Sequence, residues 1–338
     1  MRVLVTGSSG HLGEALVGVL GSEGHDVVGL DVVESPHTSV VGSVVDRELV
    51  RHHMVGVDAL IHTATLHKPH VATHHRQAFL DTNVSGTLNL LEEAAAAGVG
   101  AFVYTSTTSV FGRALRPPPD EPAAWITEEV VPVPRNIYGV TKAAAEDLCE
   151  LAHRDLGLPC VILRTSRFFP EGDDEDDVRA SFNHLNLKVN ELLHRRVDLD
   201  DVVTAHRLAL ERAGELGFGR YIISATSPFT PDDLAALRRD APAVVRRLFP
   251  DYTGVYEERG WKMLPSIDRV YVNASARKDL AWSPRYDFRG ALDRLRGAMT
   301  PGARWPCPSA KRATTPAGHR GDGAARPGRS QGRAVGPG

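Results

Sequence analysis

The chain has 338 residues, 42% hydrophobic and 24% charged, with a formal net charge of −3. It is long enough to bury one large core or two modest ones, its near-neutral charge gives no general attraction to nucleic acid or anionic membrane, and no apolar run reaches the roughly 18 residues a membrane span needs. Three cysteines, Cys149, Cys160 and Cys307, cannot all pair and have no metal-ligand spacing; with a strand-like MRVLVTG opening instead of a signal peptide, a cytoplasmic location is expected.

In chain order, apolar runs at Arg2–Thr6, Asp26–Asp31, Ala59–Thr63, Ala101–Ser106 and Cys160–Arg164 predict strands covered on both faces. Amphipathic or Ala-rich stretches between them predict helices near Leu12–Ser22, Gln77–Ala97 and Tyr138–Leu156. This alternation predicts an α/β fold, a doubly wound (Rossmann) parallel sheet over residues 1–165. Beyond it come an acidic loop, Asp173–Asp177, a helix near Asp200–Ala213, a strand Arg220–Ser224, and a short helix opened by Thr230-Pro-Asp-Asp. Residues near 198–225 are expected to return to the sheet. The rest of 166–300 is expected to form a smaller C-terminal α+β lobe for substrate at the carboxyl ends of the strands. From 301 to 338 Gly, Pro, Ala, Arg and Ser dominate without periodicity, and seven basic residues against Asp322 make this stretch +6. Such a basic tail is expected to be disordered and solvated, contact with RNA or an acidic surface being the alternative.

Gly7-Ser-Ser-Gly10-His11-Leu12-Gly13 follows the first strand and opens the first helix. Gly7 permits a tight turn, Gly10 a close approach to a pyrophosphate, and Gly13 helix–sheet packing, while N–H groups at the helix start, around His11 and Leu12, face the phosphates. Asp31 ends the next strand, where a carboxylate accepts from the adenosine ribose and repels a 2′-phosphate; Val32 and Val33 follow where an Arg would suit NADP. The expected cofactor is NAD.

Tyr138 and Lys142 stand four residues apart on one face of a predicted helix, so an ammonium lies near a phenol and is expected to lower its pKa for acid/base work on a hydroxyl. Upstream, Thr105-Ser-Thr107-Thr108-Ser109 puts hydroxyls at the carboxyl edge of the sheet, where one can hold the same substrate oxygen.

These pieces, with Asp58-Ala-Leu-Ile-His62-Thr-Ala64, Thr82-Asn83-Val-Ser-Gly86-Thr, Asn136-Ile-Tyr138-Gly-Val-Thr-Lys142, Asp200-Asp-Val202 and Asn273-Ala-Ser-Ala-Arg277-Lys-Asp-Leu280-Ala-Trp282-Ser-Pro284, resemble the extended short-chain dehydrogenase/reductases, the NAD-dependent epimerase/dehydratase group. The resemblance covers residues 1–300. It implies Thr107 as the catalytic hydroxyl, Tyr138 as acid/base and Lys142 as the residue that binds the nicotinamide ribose. It also implies cofactor contacts from Thr63, Ala64, Thr65 and Asn83, a Leu280–Trp282 segment packing the small lobe, and a homodimer formed through the Leu90–Ala97 and Ala143–Leu151 faces.

Three departures narrow the chemistry. Thr108 and Ser109 stand where related dehydratases carry an Asp-Glu pair, so water elimination is disfavoured. Arg167 stands where nucleotide-sugar enzymes usually place an Asn for the diphosphate; it is suited to a phosphate or a carboxylate, and Arg164–Glu171 resembles uronate dehydrogenases. Ser43 replaces the Asp that reads adenine, leaving that contact to the backbone and Val44. Substrate contacts are thus expected from Thr107, Thr108, Arg167 and His67, and no metal from the His62–His75 cluster. The reading is an NAD-dependent sugar epimerase acting on a nucleotide sugar through a keto intermediate. A dehydrogenase of a sugar or free uronate is the alternative, and a non-catalytic dinucleotide-binding regulator the alternative of another class.

Overall fold

A computed structural model of the protein describes residues 1–169 and 180–297. The acidic loop 173–177 and the basic tail 301–338 lie outside the described residues.

Seven parallel strands form the main sheet. They are β1 (Arg2–Thr6), β2 (Asp26–Asp31), β3 (Val40–Val41), β4 (Ala59–His62), β5 (Ala101–Thr107), β7 (Cys160–Thr165) and β8 (Phe218–Ile223), where β6 (Ala124–Ile126) belongs elsewhere. Their order is β3-β2-β1-β4-β5-β7-β8. The chain builds outward from β1 in both directions, so the crevice where ligands bind such sheets lies at the carboxyl ends of β1 and β4. Side chains alternate between two faces as the period of a strand requires. Val3, Val5, Ile61, Val103 and Leu163 pack with Leu16 and Leu20 of α1 (His11–Ser22) and Ala205 and Ala209 of the long helix Leu199–Leu216. Leu4, Leu60, Phe102, Tyr104 and Ile162 face the other way. They meet α2 (Arg47–Met54), the helix Gly86–Ala97, and the helix Ile137–Leu156.

The stretch expected as one helix over Gln77–Ala97 is a continuous helix with one wide turn inside it. It runs as α3 (Arg76–Leu80), a π-helical turn Asp81–Ser85, and α4 (Gly86–Ala97). The wide turn buries Asn83, whose carboxamide is bonded on both sides; such turns are frequent at functional sites. The helix Ile137–Leu156, α5, starts under an Asn136 side chain that accepts from Gly139 N–H and ends in Gly157 at φ +71°.

Beyond Thr165 the chain divides. After α6 (His184–Glu191), the helix Leu199–Leu216, here α7, and β8 complete the sheet. A separate core gathers Leu193, Phe229, Leu237, Val245, Phe249, Tyr256, Phe288 and Leu292. It is built largely from α8 (Leu234–Leu248), α9 (Tyr252–Glu257) and α11 (Phe288–Gly297), with α10 (Ala274–Asp279) between the last two. Beside it β6 pairs in parallel with β9 (Arg269–Tyr271). Leu280 and Trp282 were expected to pack this lobe, but they join the core beneath the sheet, where Trp282 Nε1–H donates to Asp201 O at 3.0 Å. The indole is long enough to reach the start of α7, and its one polar atom finds a partner there.

Candidate active site

The turn after β1 is shaped by contacts only glycine allows. Gly7 has φ +74°, and a Cβ there would lie 2.6 Å from Thr63 Oγ1 and 2.7 Å from Ala64 N. At Gly13 a Cβ would fall 1.9 Å from Gly7 O, inside the turn itself. The start of α1 at Gly10, His11 and Leu12 has no side-chain cap, so the amino end of the helix dipole faces the crevice. Thr63 and Ala64 close the far side: Thr63 Oγ1–H donates to Thr6 O at 2.7 Å, and Ala64 N–H donates to Thr6 Oγ1.

Asp31 is held in place by two backbone donors, Ser9 N–H at 3.0 Å and Val33 N–H at 2.9 Å. It is half-buried, with Val32 and Val33 exposed beside it. Val44 is buried, and a Cβ on Gly86 would lie 2.6 Å from its side chain; its carbonyl accepts from Asn89 Nδ2–H. Asn83 is spent on protein contacts. Its oxygen accepts from Thr65 Oγ1–H and Leu66 N–H, and its Nδ2 donates to Leu66 O and Thr141 Oγ1. It therefore pins the segment after β4 to the helix that bears Tyr138.

At the carboxyl end of β5, Thr107 and Thr108 are buried, and the Thr107 hydroxyl accepts from Ser109 N–H at 3.1 Å and lies near enough to the Tyr138 phenol to favour its ionised form. Lys142 is 1% exposed; its Nζ donates to Thr105 O at 2.7 Å and lies over the Tyr104 ring. The expectation that Lys142 lowers the Tyr138 pKa is corrected here. Burial pushes the phenol up to about 12 against the pull of the nearby Thr107 hydroxyl. Burial likewise holds Lys142 down, to about 7, although Glu146 opposes it. Desolvation outweighs a charge that is itself fractional near neutral pH.

Two expected substrate residues take part in contacts of their own. The His67 ring stacks on Phe169 at 5.7 Å, and Phe169 stacks on Phe168. β4 and β7 flank β5, so this contact between the segments that follow them crosses the carboxyl edge of the strand bearing Thr107. Arg167 Nη1 lies 3.4 Å from Glu191, which also binds Arg195 and Arg196 at 2.8 and 2.7 Å. Burial pushes Glu191 up, yet the three guanidiniums pull it below its ordinary value on balance. His62 bonds Thr6 and Thr87 through its two ring nitrogens and is a satisfied core histidine. Among the described residues no group of three His, Cys, Asp or Glu is arranged to hold a metal.

Sequence reasoning passed over Tyr104, Glu146, Arg164 and Glu191. Glu146 had a signal, since it lies one turn after Lys142 on the same face of α5.

The profile of the NAD dependent epimerase/dehydratase family matches residues 3–223. The chain belongs to this family. A 3-beta-hydroxysteroid dehydrogenase of Mycolicibacterium neoaurum is 34% identical over 334 residues, covering 86% of this chain and 89% of that protein. A 2-alkyl-3-oxoalkanoate reductase of Stenotrophomonas maltophilia is 29% identical over 340 residues, covering 88% and 99%. A UDP-glucose 4-epimerase of Rhizobium meliloti is 33% identical over 169 residues, 46% of this chain and 47% of that one. In fold the chain resembles a short-chain dehydrogenase/reductase superfamily protein of Agrobacterium tumefaciens crystallised with NAD, with a TM-score of 0.64, 24% identity, and 88% and 97% covered. The protein is thus an enzyme of the oxidoreductase and isomerase type, with NAD as the family's cofactor. Its crevice fits that cofactor: a Cβ-free turn, an uncapped helix start and a backbone-held carboxylate occur in the order a dinucleotide needs. No helix among the described residues is long and apolar enough to cross a membrane.

Proposed function

We propose that the chain catalyses NAD-dependent interconversion of a secondary alcohol and its ketone, releasing the changed substrate as net product. NAD, when bound, supplies or accepts the hydride. The protein's part is to place an oxygen and move a proton. Tyr138, held protonated by burial, donates its proton to a ketone oxygen as that oxygen gains negative charge, and takes it back in the reverse direction. Thr107, whose hydroxyl lies beside that phenol, orients the same oxygen. Lys142, which burial brings down to about 7, serves the nicotinamide ribose. Thr108 and Ser109 supply no carboxylic acid for elimination.

The observation that favours net redox over nucleotide-sugar epimerisation is the engagement of Arg167 with buried Glu191. A guanidinium committed to a carboxylate is poorly placed to grip a diphosphate. Two relatives that align over most of both chains carry dehydrogenase and reductase names, which supports the same direction; a third, a dTDP-glucose 4,6-dehydratase of Streptomyces antibioticus that is 28% identical with 94% of this chain and 98% of that one covered, supports a nucleotide-sugar substrate instead. The second reading is an epimerase acting on a nucleotide sugar through a keto intermediate, supported by the Rhizobium relative over about half the chain.

The test is incubation with NAD and a panel of secondary alcohols, free uronates and nucleotide sugars, followed by NADH absorbance and proton NMR. NADH formed in step with a ketone supports the proposal. Interconversion of sugar epimers without NADH accumulation overturns it in favour of the second reading. Tyr138→Phe is expected to cut turnover by about 10²–10⁴-fold with the fold intact.

A further inference from the structure

Lys142 is an amine almost wholly removed from solvent. Its side chain enters the protein from α5 and is 1% exposed. What replaces hydration is a short set of partners. The Thr105 carbonyl accepts one N–H at 2.7 Å, and the ammonium stands 4.0 Å from the centroid of the Tyr104 ring. Other groups facing it are Glu146 and Cys149 on its own helix and His62 on β4. The Glu146 carboxylate is shared with Arg164 and Ser106. Burial first, and Lys142 second, hold His62 well below its ordinary value, so it is neutral. Cys149 is raised by burial and is a neutral thiol. The negative face of the Tyr104 ring is stacked directly against the ammonium, while the Glu146 carboxylate, divided between Arg164 and Lys142, also favours the charged form.

Tyr104 itself is fully buried in the core behind β5 and cannot reach substrate or cofactor. Its ring is fixed by packing, with the His62 ring 5.5 Å away. A ring face desolvated together with its cation is the geometry in which cation–π attraction is strongest. Because an ammonium has three N–H groups and Thr105 takes one, such a seat leaves donors for the cofactor.

We propose that Tyr104 is a positioning residue for Lys142, its ring face keeping the buried ammonium charged and seated at the end of β5. The proposal rests on the role given to Lys142 above. Tyr104 is not a catalytic residue; it acts through the charge of Lys142.

The experiment uses shape-conserving changes. Tyr104→Phe keeps the ring, and mono-, di- and trifluorinated phenylalanines placed at the same position progressively withdraw electron density from its face. The titration of Lys142 is read directly by carbon NMR of isotopically labelled lysine side chains; the chain has six lysines, and Lys142→Arg identifies the resonance. NAD affinity at neutral pH is measured alongside by calorimetry, and thermal unfolding checks that the fold is kept. Tyr104→Phe is expected to titrate as the unmodified protein does. Across the fluorinated series the Lys142 pKa is expected to fall stepwise by about one unit in all, with NAD affinity falling severalfold in step. The first fluorine already tests the trend should the last variant not fold. A flat Lys142 titration across folded variants overturns the proposal. A falling titration with unchanged NAD affinity upholds the seat and overturns the cofactor role of Lys142.

Discussion

Arg164 holds Glu146 with Nη2–H and Nε–H hydrogen bonds of 2.7 and 3.1 Å, the two side chains 4% and 2% exposed. The pair joins β7 to the helix that carries Tyr138 and Lys142, and Ser106 of β5 donates a third bond to the same carboxylate. The active-site helix is thus tied to two strands by one buried charge.

Removing one member leaves the other buried without its closest counter-charge; Glu146 would keep only the more distant Arg220 Nε at 3.8 Å and the Lys142 amine. Arg164→Met is expected to cost about 3–5 kcal/mol, whereas Arg164→Met combined with Glu146→Met is expected to recover much of that loss. Denaturant unfolding of the two single variants and the double variant checks this, and strictly additive losses would contradict it.

Acid is expected to destabilise the protein between about pH 6.5 and 4. Burial holds His206 down at about 4 from an ordinary 6.5, with Thr105 and the Val202 carbonyl on its two nitrogens. The unfolded chain therefore binds a proton in that window that the folded one refuses, so this stability is present above 6.5 and lost as pH falls toward 4. His62 and His194, pushed well below 6.5 by burial, act in the same direction. Asp201 opposes them: burial raises it to about 6 from 3.8, so between those values the folded state holds the extra proton. Asp198, raised by burial, sides with Asp201, while His70, held down at about 4 by burial, and His53 side with the other histidines; five histidines outweigh two aspartates, and the melting temperature is expected to drop across the window. His206→Gln should flatten the slope by about one proton.

Cofactor choice is expected to follow Asp31. With its oxygens oriented by Ser9 and Val33, the carboxylate favours a ribose diol and repels a 2′-phosphate. NAD should bind at least about tenfold more tightly than NADP, and Asp31→Ala should erode the ratio. Calorimetric titration with both cofactors reads it; equal affinities in the unmodified protein would remove the basis for the preference.

A homodimer is expected through α4 and α5. Their inner faces fill the core with Leu90, Leu91, Ala145 and Cys149, while Leu88, Val140, Leu151 and Leu156 are 37%, 47%, 40% and 54% exposed. Association would remove that apolar surface from water. Sedimentation at micromolar concentration should give twice the chain mass, and Leu151→Glu should shift it toward the monomer.

What could be read from the sequence was whatever the chain decides over a few residues. Gly7, Gly10 and Gly13 mark a turn that tolerates no Cβ at Gly7 or Gly13. Tyr138 and Lys142 share a helix face because a helix repeats every 3.6 residues. Parallel strands show themselves as apolar runs because both faces are covered. The π-turn at 81–85 was invisible to this reading, since Asn83 is drawn inward by Leu66 and Thr141 from other elements. The state of the charges was invisible as well. Four residues of spacing put an ammonium near a phenol, but only burial decides that the phenol stays at about 12 and the ammonium at about 7. Likewise Arg167 reads as a free cationic fork until Glu191, 24 residues on, is folded against it. Local sterics and periodicity are written in neighbouring residues, whereas solvation and counter-charge depend on groups that only the tertiary fold brings together.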